Sequence, residues 1–436
     1  MNNKTNLKQL NNQKAKVNNK ATQDSYRLLA KGVRVSNNSI KTQKNNHDLI
    51  VGGSCAGKTG GYVTPNLLIA DSSMVVVDTK GLLCKKYSNY LKKKGFRIVN
   101  IDFVNTENSD IYNMLDFVRR VHKEDGKVSY RQTDLKRIAK LLAPDEMDEK
   151  ETFWVEAARA VIISLMAYAL EAMEESEVNM VTVAKMYLLI CADGGKSSNN
   201  GTISFFEELR SENPDSFAVA MYDTYKADFA AEKMWASIRQ FVSIALEPFM
   251  YDELKQMFNG KSALNFSDLG REKTILFVNI SDTDRSMYSV VNVFYQQMFQ
   301  CLCNEADGRE DGRLQVPVRI IMDDFASNFN IPDFDKIISV IRSRQIFVSL
   351  ILQSISQLDG MYKASNAKTI INNCDFKVFF GGQDPETAKF IGDIAGCVPE
   401  KVTKMGADDV CILERGEEMK FAKKIPPYSM DAQMDV

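Results

Sequence analysis

Gly52, Gly57, Lys58 and Thr59 fall at the spacing G-x-x-x-x-G-K-[ST] inside the stretch "VGGSCAGKT" (51–59). Those residue types in that order make a phosphate cradle. The glycines permit a tight turn whose backbone N–H groups converge on an anion, the lysine sets a point charge at the β- and γ-phosphates, and the threonine hydroxyl can ligate Mg²⁺. Gly52, Gly53, Ser54, Cys55, Ala56, Gly57, Lys58, Thr59 and Gly60 are the expected nucleotide contacts. Such a cradle needs acids beside it, and "VRIIMDDF" (318–325) supplies an apolar run that ends in Asp323 and Asp324. Asp323 is expected to share the Mg²⁺ with Thr59, and Asp324 to polarise an attacking water. ATP and Mg²⁺ are thus the expected cofactors. The second acid of such a pair is usually Glu. Asp is one methylene shorter, so slow basal hydrolysis is expected, and an Asp324→Glu chain that turns over no faster would remove that explanation.

Cys55 is the odd residue of the turn. One reading is a small side chain that the turn tolerates. The other places the thiol beside the phosphates, at a helix N-terminus near Lys58, where thiolate is favoured and alkylation would block nucleotide binding.

These residues need a strand entering the cradle, a helix leaving it, and a neighbouring strand to deliver the acids. "HDLIV" (47–51) reads as the entering strand. The helix is expected to end near Thr64, because Pro65 disfavours helical geometry in the residue before it. Further short apolar runs at 74–78 and 98–103, with helix-like stretches between, imply a parallel sheet covered by helices. From about 130 to 261 the period becomes helical. Strands resume with "KTILFVNI" (273–280), "VRIIMDD" (318–324), "IFVSLILQ" (346–353), "FKVFFGG" (376–382) and "DDVCILE" (408–414). The expected fold is α/β: a mostly parallel sheet flanked by helices, split into 28–129 and 262–436 by an inserted all-α domain at 130–261. Asp384-Pro385-Glu386 reads as a helix start, with Asp as N-cap and Pro in the first turn.

The net charge of the 436 residues is only -2, which excludes a uniformly basic nucleic-acid-binding surface. Residues 1 to 46, however, carry ten Lys or Arg against the single acid Asp24, among many Asn. Residues 1–27 are expected to be a disordered basic arm, either a solvated tail or a contact for DNA phosphates or an anionic membrane surface. The lysines at 85, 86, 92, 93 and 94 carry the same two readings. Eight cysteines lacking a C-x-x-C repeat suggest free thiols in a reducing cytosol. Cys301 and Cys303 lack a second ligand pair. The N-terminus shows no apolar signal segment, and the longest apolar run, "AVIISLMAYAL" (160–170), is short for a bilayer-spanning helix and reads as a buried one.

Several stretches share one order along the chain: "NNHDLIVGGSCAGKTGGYVTPNLL", "SSMVVVDTKGLL", "GFRIVNIDFVNTENSDIYNML", "EKTILFVNISDTD", "IIMDDFASNFNIPDFDKIISVIRSRQIFVSLILQSISQL" and "GGQDPETAKFI". Together, from about 28 to 416, they resemble the type IV secretion system coupling proteins, the TraG-like conjugation ATPases. The resemblance implies a RecA/FtsK-like P-loop ATPase core with an all-α domain, homohexameric when active, that brings relaxase-bound DNA to a type IV secretion channel. It further implies that Lys58 and Thr59 are the Walker A pair and Asp323 and Asp324 the Walker B pair. Gln353 then stands where the family senses the γ-phosphate state, and Arg342 where a trans-acting arginine would reach a neighbour's nucleotide. Phe334, Ile337, Ile338 and Ile341 form the apolar stripe of the helix that ends at Arg342 and Arg344. Asp78 and Lys80 of "DTKG" are further residues that could line the site.

Family members usually carry transmembrane helices ahead of the P-loop, where this chain has its basic arm. The expectation is therefore a cytoplasmic form lacking those helices, peripheral at the inner face of the membrane only through its partners. The alternative function is a weakly hydrolysing nucleotide-binding adaptor that recruits relaxase or effector proteins without pumping DNA.

Overall fold

The computed structural model describes residues 25–122, 128–145, 152–192, 201–325 and 330–432. The strands, in chain order, are β1 Tyr26–Ala30, β2 Val33–Ser36, β3 Asp48–Val51, β4 Ser73–Val77, β5 Arg97–Asp102, β6 Arg120–His122, β7 Val128–Tyr130, β8 Thr274–Asn279, β9 Val318–Met322, β10 Ile346–Leu352, β11 Phe376–Phe379, β12 Asp409–Glu414 and β13 Lys420–Lys423. Among the described residues nine of them form one sheet, in the order β13-β12-β11-β3-β10-β9-β4-β8-β5. Pairing is parallel from β11 through β3, β10, β9 and β4 to β8. It turns antiparallel at β11–β12 and β12–β13.

The chain divides into two compact units, one of 1–98, 267–282 and 302–436, the other of 99–266 and 283–301. The first holds the sheet apart from residues 99–102 of its edge strand β5. Its central strands β3, β4, β8, β9 and β10 are buried along their whole length. That is why they read as largely apolar runs and not as alternating ones: helices cover both faces of a parallel sheet. The outer strand β13, "KFAK", is mostly exposed and carries a lysine at each end, a charge pattern that discourages further pairing.

The last residues of the expected disordered arm behave differently from that reading. Residues 1–24 lie outside the described ones, but Tyr26 and Arg27 belong to β1, which pairs antiparallel with β2. The physical reason is Arg27. It is 2% exposed and doubly bonded to the carboxylate of Asp48 at the start of β3. A local composition reading has no access to that long-range partner.

The second unit contains the helical stretch. Its longest helix, Thr152–Ala172, has 21 residues and is long and apolar enough, by length and composition alone, to cross a membrane. That makes it longer than the apolar run it contains. Of its most apolar window 61% is buried inside the unit, as in a core helix. Helix Phe217–Asp223 packs beside it; its Tyr222 stacks on Phe206 of helix Gly201–Glu212 at 4.4 Å, and the hydroxyl of Tyr225, just past its end, lies 2.7 Å from that of Ser164 in the long helix. A second aromatic cluster explains why 283–301 joins this unit. Phe294 meets Phe103, Tyr112 and Phe266 edge-on at centroid distances of 5.7, 5.1 and 5.0 Å.

Candidate functional site

The carboxyl ends of β3, β10 and β9 converge beside the Gly52–Thr59 turn, at the point where the chain switches from building one side of the sheet to the other. Open α/β sheets bind ligands at such a switch. The turn is anchored on both flanks. The Gly52 N–H donates to Leu352 O at 3.1 Å on the β10 side, and the Gly53 N–H donates to Gly381 O at 2.9 Å on the β11 side. Gly57 has φ +86°, a conformation open to glycine without strain. Cys55, at φ 61°, adopts the left-handed region with a side chain, and it is exposed. The backbone here requires a residue that tolerates αL, which both readings of Cys55 accommodate.

The lysine is folded onto its own loop, where Lys58 Nζ donates to Gly52 O at 2.6 Å and Gly53 O at 3.0 Å. Burial, partly opposed by Asp324 and Asp323, lowers its pKa from the usual lysine value. The Thr59 hydroxyl donates to Asp323 Oδ2 at 2.5 Å, so the loop and the end of β9 meet as the motifs require. Burial pushes the Asp323 carboxyl up to about 6, against the pull of Thr59 and Lys58 and with that of Asp324. Asp324 sits at φ 50° and donates its N–H back to Asp323 Oδ1 at 3.1 Å. A buried carboxylate and an adjacent hydroxyl, both hard oxygen donors, are the ligand types Mg²⁺ takes, and a divalent cation would supply the compensation that Asp323 lacks.

Past the turn the helix does not stop at Thr64. Residues Thr59–Val63 form a π turn, in which the Thr64 N–H reaches back to Thr59 O, and an α-helix continues through Thr64–Leu68. In an α turn the ring of Pro65 would collide with the carbonyl four residues earlier. The wider turn opens that space, and Thr64 keeps helical angles of -58° and -49° ahead of a proline. The same register buries Tyr62, whose hydroxyl donates to Asp48 Oδ2 at 2.7 Å.

Gln353 follows β10 directly, at the same edge as the turn, and its N–H donates to Gln357 Oε1 at 3.1 Å. Arg342 lies elsewhere. It ends the helix Phe334–Ile341, which runs back from the β9 end, and it precedes β10, at the amino-terminal edge of the sheet. The seven residues of β10 put roughly 20 Å between that edge and the turn. Arg342 is exposed there, whereas Arg344 is bonded to Asp307 at 2.7 and 2.9 Å. Any contact of Arg342 with nucleotide therefore needs a second copy of the chain.

Asp78 proves to be a helix cap. Its carboxylate accepts from the N–H groups of Leu82, Leu83 and Cys84 at 3.1, 2.7 and 3.1 Å, while Lys80 is exposed. Asp384 likewise caps helix Pro385–Ala395, accepting from Thr387 N at 3.0 Å, as the sequence suggests.

Two sets of residues escape the sequence reading. One is the buried group around Asp48, comprising Arg27, Tyr62, Arg319 and Ser349. Its signal is visible in retrospect, as charges at Asp48 and Arg319 inside otherwise apolar strands. The other is the segment after β13. Lys424 Nζ donates to Ala56 O at 3.0 Å, Tyr428 N donates to Gly60 O at 3.3 Å, and Pro427 lies against the turn. Nothing in the local pattern of "KIPPYSMD" points to a contact with residues more than 350 positions away.

Residues 2–409 match the family model described as type IV secretory system conjugative DNA transfer. The chain is 23% identical over 353 residues to protein VirD4 of Rhizobium radiobacter, covering 80% of this chain and 48% of that one. It is 20% identical over 373 residues to the conjugal transfer protein TraG of Escherichia coli, covering 83% and 57%. It thus spans about half the length of these curated relatives. Among solved structures it is similar to the plasmid coupling protein TrwB in complex with ADP and Mg²⁺, with a TM-score of 0.62, 15% identity, and 94% and 91% of the two chains covered.

Proposed function

The chain belongs to the type IV secretory system conjugative DNA transfer family, and on that premise we propose that it is an ATP-hydrolysing coupling protein that moves DNA. In this reading it passes relaxase-bound DNA to components of a type IV secretion channel and works as a homohexamer on the cytoplasmic side. The observation that carries the proposal is the Thr59 to Asp323 contact of 2.5 Å beside Lys58. It joins the two motifs into one site around a buried carboxylate of the ligand type that Mg²⁺ takes.

The residues divide the work. The N–H groups of the Gly52–Gly60 stretch hold the phosphates, and Lys58 exchanges its two loop carbonyls for the β- and γ-phosphate oxygens. Thr59 and Asp323 would hold Mg²⁺, which when bound neutralises charge on the transferring phosphoryl group. Asp324 orients water, and Gln353, at the end of the adjacent strand, reports the phosphate state to β10. Arg342 would serve a neighbouring copy's site, as its place at the far edge of the sheet allows.

The test is ATP turnover by the purified chain, with and without single- and double-stranded DNA, across concentrations that populate a hexamer, beside a Lys58→Ala control. Turnover that rises with DNA and with concentration and vanishes in the control is expected. ATP binding with turnover at the control's level under every condition would replace the motor by a nucleotide-binding adaptor that recruits relaxase or effector proteins. The left-handed backbone and short side chain of Asp324 make that the informative alternative.

A further inference from the structure

The order of the sheet gives the nucleotide site a direction. Thr59 meets Asp323 on the side of β3 where β10 and β9 lie, so a metal and γ-phosphate held by these residues would sit on that side. The flank open to a nucleoside is then the other one, over Gly60 and toward β11, β12 and β13. That flank is occupied by the segment 424–431, which follows β13.

The segment is fixed there by several independent contacts. Lys424 Nζ donates to Ala56 O at 3.0 Å, on the outside of the turn, and lies 5.7 Å from the ring centroid of Phe380. Pro427 packs so closely that a Cβ placed on Gly60 would meet Pro427 Cβ at 2.7 Å, and one on Gly57 would meet Pro427 Cγ at 3.5 Å. Tyr428 takes φ 59°, an uncommon backbone for a tyrosine, and its N–H donates to Gly60 O at 3.3 Å. Asp431 closes the segment, accepting from Tyr87 Oη at 2.9 Å and Lys86 Nζ at 2.5 Å, and the same Lys86 ammonium lies 4.7 Å from the Tyr428 ring centroid. A backbone pinned at this many points nevertheless leaves Tyr428 48% exposed. A rigid, half-open aromatic beside the exit of a phosphate cradle is suited to stacking on a planar base.

We infer that the segment 424–431 is the nucleoside wall of this site, with the Tyr428 ring against the face of the base and Lys424 a positioning residue that braces the turn from behind. The inference rests on the nucleotide-binding reading above. Stacking takes any base, so the wall favours nucleosides over bare phosphates and discriminates little between adenine and guanine.

Calorimetric titration of the full chain with MgATP, MgGTP and inorganic triphosphate tests it, using the wild type and the Tyr428→Ala, Tyr428→Phe and Lys58→Ala variants, each checked for an unchanged melting temperature. Tyr428→Ala is expected to weaken ATP and GTP alike by about five- to a hundredfold. Triphosphate should stay within twofold, and Tyr428→Phe should keep wild-type affinity for all three. An unchanged ATP affinity in Tyr428→Ala, or an equal loss for ATP and triphosphate, would overturn the wall, the second outcome leaving only a brace. Lys58→Ala should lose all three ligands. If it binds ATP like the wild type, the nucleotide reading itself fails, whatever Tyr428 does.

Discussion

Asp48, which opens β3, and Asp323, which directly follows β9, are both buried carboxylates of one sheet with β10 between their strands, yet they are treated in opposite ways. Asp48, at the amino-terminal edge, is 0% exposed and meets two guanidinium groups, Arg27 at 2.8 Å and Arg319 at 2.9 Å. The Tyr62 and Ser349 hydroxyls donate to it as well. Burial alone would raise its pKa, but Arg27 and Arg319 overcome that and hold the carboxyl below the usual range. Asp323, at the carboxyl-terminal edge, has a threonine hydroxyl, one backbone N–H and a lysine turned toward the loop carbonyls, so burial wins. The saturated acid is architecture. It locks the β1–β2 hairpin, β3, β9, β10 and the helix after the turn into one piece. The undersatisfied acid is poised for a cation. A buried ion pair is costly to break, since removing one partner strands the other.

The comparison breaks most visibly at Asp48. Asp48→Asn leaves Arg27 and Arg319 buried without their counter-charge, and we expect a loss of about 3–5 kcal/mol in unfolding free energy, measured by urea denaturation. Retention of wild-type stability would show that the network is incidental. Asp323→Asn should do the reverse. It removes an undercompensated charge, so the nucleotide-free chain at pH 7 is expected to gain about 1–3 kcal/mol of stability, while Mg²⁺-dependent hydrolysis falls by about a hundredfold or more. A variant that loses both stability and activity would make Asp323 a structural acid like Asp48.

The smallest effect is the pH dependence. Asp323 ionises at an ordinary carboxylate pH when unfolded but near 6 when folded, so its unfavourable contribution sets in as pH rises from about 4 to 6 and persists above. Binding of Mg²⁺ needs the ionised form. Mg²⁺-nucleotide affinity, corrected for protonation of the nucleotide, is therefore expected to fall about tenfold per pH unit below 6. Asp48, with its lowered pKa, should remain charged across that window, so circular dichroism should stay constant while affinity drops. A flat affinity from pH 7 to 5 would place the metal elsewhere.

Much of this was legible in the chain. The buried strands announce themselves because a strand covered on both faces is apolar at most of its positions, and the P-loop and the Asp323–Asp324 run are local spacings. The capping role of Asp384 was equally readable, since a cap acts within one turn. What failed was whatever depended on distance. The Pro65 rule is sound for an α turn, but the π turn that evades it is held by Tyr62 reaching Asp48 and by Asn66 bonding Leu28 N at 2.8 Å and Leu28 O at 2.9 Å. Arg27 looked like part of a polar tail, because its partner lies 21 residues away.

The sequence by itself determined the chemistry available: a phosphate cradle, a pair of acids, and an alternation of strands and helices that brings them to one edge. Only the tertiary structure decided which acid is neutralised and which is left wanting a cation, that Arg342 stands at the far edge from its own cradle, and that the segment after β13 flanks the turn. Spacing along a chain fixes only what neighbours can do. Charge compensation and stacking depend on what the fold brings within a few ångströms.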